Sequence, residues 1–262
     1  MIETIEAIAI EAGEVAMEHF AHLASLTVES KGHLDLVTRA DRDVENLIVS
    51  RLRSAFPDDG ILGEEGAAAP TRSGRTWVID PIDGTLNFVR GSEQWSISIG
   101  LFDGHRPVLG VLNLPAQRKL VVGGDGVAPA LNGTPIPTPR PIDPERAAAA
   151  IGFGPSGANV DRAGLVSFVM DQAGMVCRNS GCGSISLLSV ALGHVDGYIS
   201  LGESSWDVMA ALAILHRLGC ESTVDWEVVG LETKVPLACG AAEFLAIAST
   251  FHAGLWGGDL AG

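Results

Sequence analysis

One segment of the chain, residues 77–88 (WVIDPIDGTLNF), carries more structural information than any other. A short apolar run typical of a buried strand leads directly into Asp80 and Asp83. Gly84 and Thr85 follow, where a tight turn is expected to open a short helix. Carboxylates at the end of a strand bind hard cations, and free N–H groups at the start of a helix bind phosphate. The segment therefore predicts both halves of a metal-dependent phosphate site.

An ordinary turn after a strand is the alternative explanation of this segment, because Asp-Gly pairs are common in turns for backbone reasons. The full word DPIDGT at residues 80–85 is longer than such a turn requires. At residue frequencies of roughly 5% each, its chance occurrence is on the order of 10⁻⁸ per window. A functional role is therefore the preferred interpretation.

The composition predicts a folded protein with a large core and an acidic surface. The 262 residues suffice for one large domain or two closely packed ones, and 47% of them are hydrophobic while 19% are charged. The net charge of −15 argues against binding to nucleic acid or to anionic membranes, which requires a basic surface. An anionic substrate would also be repelled unless bound cations reverse the local field, so the charge itself favours a metal site.

The cysteines and the amino terminus indicate a soluble cytoplasmic protein. None of the 4 cysteines forms a CxxC pair, so neither a zinc site nor a disulfide framework is predicted. Residues 1–6 carry acids and no basic segment, unlike a signal peptide. No apolar run approaches the roughly 20 residues that a membrane span needs.

The N-terminal half of the chain, residues 1–140, is predicted to be an α+β unit. Apolar residues at helical spacing predict an amphipathic helix over 3–27, with a break near 28–31. Asp41 is expected to be the N-cap of a second helix that runs to about Phe56. Strands are predicted at 76–79, 96–102, 107–113 and 119–122, with a hairpin turn at 103–105.

The C-terminal half, residues 141–262, is predicted to alternate strands and helices. A Gly- and Pro-rich stretch over 124–146, with a turn at Asn132-Gly133, is expected to connect the two halves. Blocks of helix and strand in this order predict α+β layers, with sheets between pairs of helices. Strands are predicted near 148–153, 175–178 and 197–201, helices over about 160–173, 184–192 and 205–218, and further strands with a closing helix over 221–252.

Two more acidic positions could join Asp80 and Asp83. Glu64 follows an apolar pair, although a charged surface turn would give the same pattern. Asp207 lies in the first turn of the predicted helix over 205–218, where an aspartate is normally a cap. Together the four residues would supply hard oxygen ligands, the set expected for Mg²⁺ ions that keep waters and share a substrate phosphate.

Five short words occur in order along the chain: Lys31 with Asp35-Leu36-Val37-Thr38 and Asp41, Gly63-Glu64-Glu65, the segment 77–88, Leu131-Asn132-Gly133 and Trp206-Asp207-Val208. Together they resemble the inositol monophosphatase family of Mg²⁺-dependent, Li⁺-sensitive phosphatases, and the resemblance spans nearly the whole chain. It implies the layered αβαβα sandwich of sugar phosphatases, usually as a homodimer, acting on a small phosphate ester.

The resemblance also implies metal ligands and a cofactor. The cofactor is Mg²⁺, as two to three ions, and Mn²⁺ is expected to be able to replace it. The implied metal ligands are Glu64, Asp80 and the Ile82 carbonyl for a first ion, Asp80, Asp83 and Asp207 for a second, and Glu64 with waters for a third.

Roles in catalysis and in substrate binding follow from the same resemblance. Thr85, whose hydroxyl would pair with Asp41, is implied to orient the attacking water, and Glu64 is counted with them as catalytic. The N–H groups of Gly84 and Thr85 are implied to bind phosphate oxygens. Lys31 and Glu65 occupy family positions near the site. The full set implied to bind substrate is Asp83, Gly84, Thr85, Ser184, Ile185, Ser200 and Asp207.

The chain departs from the family pattern at the end of the site that binds the alcohol. Many members carry a glutamate seven residues before the aspartate of the Trp-Asp pair, and here that position is Ser200. A serine still forms hydrogen bonds but loses a charge-assisted contact. Glu203 is expected to be a solvated loop acid. Gly183-Ser184-Ile185 matches the family's Gly-Ser/Thr-Ala at two of three positions.

Several functions stay open from the sequence alone. The leading one is hydrolysis of inositol 1-phosphate or a similar polyol or sugar phosphate, and the alternatives are histidinol phosphate, fructose 1,6-bisphosphate and 3′(2′)-phosphonucleotides. A bisphosphate would need an additional basic pocket, and the arginines of 39–42 and 51–53 are better explained as exposed helix faces. A non-catalytic binding module is disfavoured because all four carboxylates are present. Inhibition by millimolar Li⁺ is expected by analogy with the family.

Overall fold

The computed structural model describes residues 1–32, 35–154 and 162–251. Its helices are α1 (Ile2–Phe20), α2 (Arg39–Ala55), α3 (Thr85–Val89), α4 (Arg162–Ser167), α5 (Gly183–Ala191), α6 (Ser205–Arg217), α7 (Trp226–Val229) and α8 (Ala242–Ala248). Its strands are β1 (Val28–Gly32), β2 (Asp35–Thr38), β3 (Gly60–Gly63), β4 (Ala68–Ala69), β5 (Thr76–Asp83), β6 (Ser96–Phe102), β7 (Pro107–Leu114), β8 (Lys119–Gly124), β9 (Val127–Leu131), β10 (Thr134–Pro135), β11 (Ala148–Gly152), β12 (Val176–Arg178), β13 (Gly197–Glu203), β14 (Glu221–Ser222) and β15 (Val235–Gly240).

Two large sheets and three helical layers make up the fold. The first sheet has the order β10-β9-β8-β7-β6-β5-β3-β4 and is antiparallel except between β3 and β5. The second has the order β12-β11-β13-β15-β14, with β11 parallel to both of its neighbours. Helices α1 and α2 cover the first sheet, α5 and α6 lie between the sheets, and α4 and α8 cover the second. The predicted α+β class and αβαβα sandwich are confirmed.

Three apolar clusters hold these layers together. One joins α1 and α2 to the first sheet and includes Ile48 and Trp77, both fully buried. A central cluster surrounds α5 and α6 and includes Leu187 and Met209, also fully buried. The third joins the second sheet to the outer helices. Burial of this kind, at about 25 cal/mol per Å² of apolar surface, is the main force that fixes the layers.

Glycines of the first sheet let α6 approach it closely. A Cβ atom at Gly110 would overlap the backbone of Ala210, and one at Gly100 would lie 2.8 Å from the Ala210 nitrogen. No larger residue fits at Gly110 unless α6 moves away. The contact therefore fixes the helix that carries Asp207 against the sheet that carries Asp80.

Two expectations about the helices were wrong in their ends. Helix α1 stops at Phe20. The apolar pattern continues past it because Leu23, in a 3₁₀ turn, and Leu26, at the end of that turn, pack on the same core, and this made the predicted helix too long. Helix α2 begins at Arg39 with Thr38 as its N-cap, and Asp41 stands three residues further on in a capping box. The predicted start of the helix over 160–173 lies outside the described residues; α4 and a π-helical turn over Phe168–Gln172 account for the rest.

The predicted connection over 124–146 is partly sheet. Strand β9 pairs with β8, and β10 pairs with β9 through a turn at Asn132-Gly133. The sequence did not predict these strands because the stretch is rich in proline and glycine, which are uncommon within strands. Proline is nevertheless tolerated near the edge of a sheet. The hairpin at 103–105 is confirmed, with the Asp103 carboxylate accepting the N–H groups of His105 and Arg106 at 2.9 and 2.8 Å. Each large sheet lies within one predicted half, and the division at residue 140 stays a prediction.

Candidate active site

Three aspartates converge where β5 ends and α6 begins. One carboxylate oxygen from each of Asp80, Asp83 and Asp207 lies within 4.8 Å of the others. Residues three apart on a regular strand face opposite sides, but the pairing of β5 with β6 shifts register between Asp80 and Asp83. This irregularity explains how Asp80 and Asp83, although three residues apart, can face the same site.

Burial and mutual repulsion dominate the electrostatics of this cluster. Burial is the largest cause that raises the pKa of Asp80 and Asp207 well above the usual value, and neighbouring carboxylates add to it. The pKa of Asp83 is also raised by burial, against the effect of its hydrogen bonds. Grouped ionised carboxylates in a buried place are unfavourable unless a cation neutralises them. These three oxygens suit a hard divalent cation.

Glu64 lies beside this cluster, in the turn that follows β3. Its N–H donates to the Ile79 carbonyl at 3.1 Å, and its charge raises the pKa of Asp80 and of Asp207. The buried Glu45 carboxylate, on α2, supports this turn by accepting the N–H of Glu65 at 2.9 Å. That role could not be predicted from the sequence, because the two segments are distant along the chain.

Asp83 is held by the first turn of α5. Its carboxylate accepts the Ser184 N–H at 2.7 Å, the Ser184 hydroxyl at 2.5 Å and the Cys182 thiol at 3.1 Å. Ser184 is fully buried, so it positions Asp83 from behind. Ile185 is 7% exposed and belongs to the central core. Cys182 was missed as part of the site, and its place directly before Gly183-Ser184 was the available signal.

Asp41 and Asp207 occupy equivalent helical positions. Asp41 accepts the N–H of Thr38 at 2.8 Å, and Asp207 accepts the N–H of Ser204 at 2.9 Å. Each is the N3 residue of its helix, and its carboxylate reaches back to the N-cap. A carboxylate in the first turn is favoured by the helix dipole, so both helices orient an acid toward the site.

Thr85 connects Asp41 to the end of β5. Its hydroxyl lies 3.3 Å from Asp41 Oδ1 and 3.1 Å from the Ile82 carbonyl oxygen. Asp41 is fully buried, and burial raises its pKa to about 6 against the hydrogen bonds from Thr38. The nearby charge of Glu65 raises that pKa further. When the Thr85 hydroxyl donates to Asp41, its own lone pairs can accept from a water.

Gly84 makes the turn between β5 and α3. Its φ is +90°, and a Cβ there would lie 2.9 Å from the Gln94 carbonyl oxygen. Glycine is therefore required both by conformation and by space. The first N–H groups of α3 have no acceptor within the helix, and Gly84 and Thr85 line the cleft above the aspartates.

A cleft of about 480 Å³ opens over the aspartates. Glu64, Asp83, Thr85 and Asp207 lie in its wall, as do two exposed cations, Arg162 and Lys234. The side chain of Lys31 lies outside the described part of the chain. This volume is typical of sites for small ligands.

The part of the cleft near Ser200, where the resemblance implied binding of the alcohol, differs from expectation at Glu203. This residue is 7% exposed and lines the cleft, so the expectation of a solvated loop acid was wrong. Burial raises its pKa, against hydrogen bonds from Ser200 and Tyr198. Ser200 itself is fully buried. The Tyr198 hydroxyl donates to Glu203 Oε1, a contact between residues five apart on β13 that the sequence did not indicate.

The sequence matches the model of the inositol monophosphatase family over residues 1–243. The chain belongs to the inositol monophosphatase family. A fructose-1,6-bisphosphatase/inositol-1-monophosphatase of Aquifex aeolicus is 31% identical over 88% of both chains. A histidinol-phosphatase of Chlorobaculum parvum is 33% identical over 81% of this chain and 81% of that protein. The recognition made from the sequence is confirmed.

Solved structures of this family share the fold. The crystal structure of the extragenic suppressor protein suhB from Bartonella henselae superposes with a TM-score of 0.84, covering 97% of this chain and 98% of that one at 23% identity. Inositol monophosphatase family members are metal-dependent phosphatases of small phosphate esters, and this chain is a phosphoric monoester hydrolase of that kind. No helix in the described ranges is both long and apolar enough to cross a membrane.

Proposed function

We propose that the protein hydrolyses a small phosphate monoester with Mg²⁺ and water, and that the substrate is inositol 1-phosphate or a similar polyol or sugar phosphate. The observation that carries the proposal is the convergence of Asp80, Asp83 and Asp207 within 4.8 Å beneath a cleft. Membership in the inositol monophosphatase family supports the reaction class.

The residues at the site fit Mg²⁺ because all of them offer oxygen. We assign Glu64, Asp80, the Ile82 carbonyl, Asp83 and Asp207 as ligands of two to three ions, with Mn²⁺ able to replace Mg²⁺. Bound Mg²⁺ would neutralise phosphate charge, make water a better nucleophile and stabilise the leaving oxygen. The pKa values of Asp80 and Asp207 are raised because these buried carboxylates lack a neutralising positive charge, which a bound cation would supply.

The other residues orient water and phosphate. Thr85 donates its hydroxyl hydrogen to Asp41, leaving lone pairs that hold the attacking water. The N–H groups of Gly84 and Thr85 receive phosphate oxygens. Ser184 acts indirectly, by fixing Asp83. Uncatalysed hydrolysis of phosphate monoesters is among the slowest of known reactions, so this positioning must supply much of the acceleration.

A phosphate-release screen tests this function. With Mg²⁺, we expect phosphate from inositol 1-phosphate or another polyol phosphate, less from histidinol phosphate and 3′(2′)-phosphonucleotides, and none in EDTA. Millimolar Li⁺ is expected to inhibit. The proposal is wrong if EDTA-treated enzyme keeps its activity, or if no ester in the panel is hydrolysed while circular dichroism shows folded protein.

Fructose 1,6-bisphosphate is the second candidate, because Arg162 and Lys234 line the same cleft. The sequence suggested no basic pocket, since 72 positions separate the two residues, and the fold brings them together. A relative from Aquifex aeolicus carries fructose-1,6-bisphosphatase in its name. Two cations at the rim would attract a second phosphate in an otherwise acidic protein.

Replacing both cations tests this candidate. If a second phosphate binds there, the double variant Arg162→Ala, Lys234→Ala should raise KM for fructose 1,6-bisphosphate about 10-fold or more, and KM for inositol 1-phosphate less than about 2-fold. Arg53→Ala, on the exposed face of α2, is the matched control. Equal effects on both substrates would remove the bisphosphate candidate.

Two further parts of the proposal concern the state of the protein. We expect a cytoplasmic homodimer that binds neither nucleic acid nor membranes, in keeping with a net charge of −15. A non-catalytic binding module is disfavoured, because such a protein has no need to retain Glu64 and the three aspartates.

A further inference from the structure

We propose that a second cavity, beside helix α5, binds the phosphate group of a small organic phosphate at a site separate from the aspartate cluster. The cavity has a volume of about 390 Å³. Of its described lining residues, only Ser186 also belongs to the cleft over the aspartates. The polar groups that line it are Arg178, Ser180, Ser186, Ser189 and His194.

The charge of this second cavity is opposite to that of the catalytic cleft. None of its described lining residues is acidic, whereas Glu64, Asp83 and Asp207 all line the cleft. Arg178 gives the second cavity a permanent positive charge, and the ring of His194 adds an N–H donor. In a protein with a net charge of −15, such a cavity is a local positive region that attracts anions.

The Arg178 side chain has no ionic or hydrogen-bonding partner among the residues that the structure describes. Arg178 ends β12, where it pairs with Ala150 of β11, and it is exposed. Arginines elsewhere are paired, as Arg106 is with Asp125 at 2.5 Å. A guanidinium presents its N–H groups in a planar fork that matches the oxygens of a phosphate. The donors of Arg178 are therefore available to a ligand in the cavity.

Two serine hydroxyls share one acceptor, so one of their hydrogens can be turned to a ligand. The hydroxyl oxygens of Ser180 and Ser186 lie 2.7 and 2.9 Å from the Cys182 carbonyl oxygen, and 2.7 Å from each other. One donor is enough to satisfy that carbonyl, so the other hydroxyl can rotate toward an anion. No buried acceptor is then left without a partner, which would be the costly alternative.

Donors from separate segments favour a phosphate group over a carboxylate. Arg178 comes from the end of β12, the serines from α5 and the turn before it, and His194 from the turn after α5. A phosphate monoester offers three terminal oxygens to such donors, and a carboxylate offers two. The cavity is larger than a phosphate group, and Ala150 and Val195 give its organic part an apolar wall. We expect binding without hydrolysis, because no described lining residue is a carboxylate that could hold Mg²⁺.

Phosphate binding in EDTA tests the inference, because the catalytic cleft then has its carboxylates without a cation and disfavours anions. At constant ionic strength, we expect isothermal titration calorimetry to show saturable binding of inorganic phosphate to the full chain. Arg178→Ala should raise the Kd about 10-fold or more, and His194→Ala about 3-fold. Arg53→Ala removes the same charge from the exposed face of α2, so this matched control should change the Kd less than about 2-fold.

Two further probes define the ligand class. Glycerol 2-phosphate should bind at least as tightly as inorganic phosphate, and acetate about 10-fold more weakly or worse. Arg178→Ala should keep its circular dichroism spectrum, and its Mg²⁺-dependent phosphate release should stay within about 2-fold of the wild type, because Arg178 does not line the catalytic cleft.

The inference is overturned if the wild type shows no saturable phosphate binding, if Arg178→Ala binds phosphate as the wild type does, or if acetate binds as tightly as phosphate. Loss of binding in the double variant Arg162→Ala, Lys234→Ala would place the anion in the catalytic cleft and also overturn it. A lower mass of Arg178→Ala in sedimentation would make a second copy of the chain the partner of Arg178, with the same consequence. None of these measurements needs turnover, so a wild-type enzyme that hydrolyses no ester would overturn only the proposed function.

Discussion

Asp80→Asn is expected to lower kcat for phosphate release by about 10³-fold or more at saturating Mg²⁺. Asp80 is 1% exposed, and the charges of Glu64, Asp83 and Asp207 all act on it. An amide of the same shape retains an oxygen but removes the negative charge that a divalent cation needs. Initial rates measured on the best ester of the screen check this.

Thermal stability distinguishes loss of chemistry from loss of fold in this variant. The pKa of Asp80 is raised in the folded state, so between the usual and the raised pKa the folded protein binds more protons than the unfolded chain. Stability therefore falls as pH rises through that window, and Asp80→Asn removes this cost. We expect a Tm at neutral pH without Mg²⁺ that is equal to or above that of the wild type.

Mg²⁺ itself gives the matching control. A ligand that binds only the folded state at about 100 times its Kd stabilises by about 2.7 kcal/mol, so Mg²⁺ should raise the Tm of the wild type. The variant should lose most of that rise, while the exposed Asp58→Asn should keep both the rise and the activity. Activity retained in Asp80→Asn would refute the assignment of Asp80 as a metal ligand.

Local sequence patterns predicted those parts of the site whose residues are neighbours in the chain. Strand β5 and the turn at Gly84 follow from residues that are neighbours in the chain, so their placement could be predicted from the word 77–88. Strand β6 and helix α6 were also placed within a residue of their ends. The roles assigned to individual site residues stay predictions until they are measured.

What the sequence could not predict depends on contacts between distant segments. Glu203 lies in a polar segment typical of an exposed loop, yet it pairs with Val235 of β15, on a distant part of the chain, and is only 7% exposed. The Glu45 carboxylate on α2 accepts the N–H of Glu65 in the turn that contains Glu64. No local pattern links residues so far apart in the sequence. The first residue of this helix is similarly ambiguous in the sequence, because both Thr38 and Asp41 are good N-caps, and in the structure Thr38 is the N-cap.

Thr85→Ala is expected to lower kcat by about 10² to 10⁴-fold with little change in KM, the range found for residues that assist proton transfer. The Thr85 hydroxyl is the group that links Asp41 to the proposed water, at 3.3 Å from the carboxylate. Alanine removes that link and the 3.1 Å contact with the Ile82 carbonyl, while the carboxylate ligands stay unchanged. Thr85→Ser keeps the hydroxyl and should retain most of the activity, which serves as the matched control.

The pH profile identifies Asp41 as the partner in this step. Its pKa is raised to about 6, so above that pH the carboxylate accepts the Thr85 hydrogen, and below it a protonated Asp41 becomes a donor instead. Wild-type kcat at saturating Mg²⁺ should therefore fall as pH drops through about 6, since metal-bound carboxylates stay ionised there. The much slower Asp41→Asn enzyme should lack this limb while Thr85→Ser keeps it. An unchanged acid limb in Asp41→Asn would assign the titration to another group and remove Asp41 from the proposed mechanism.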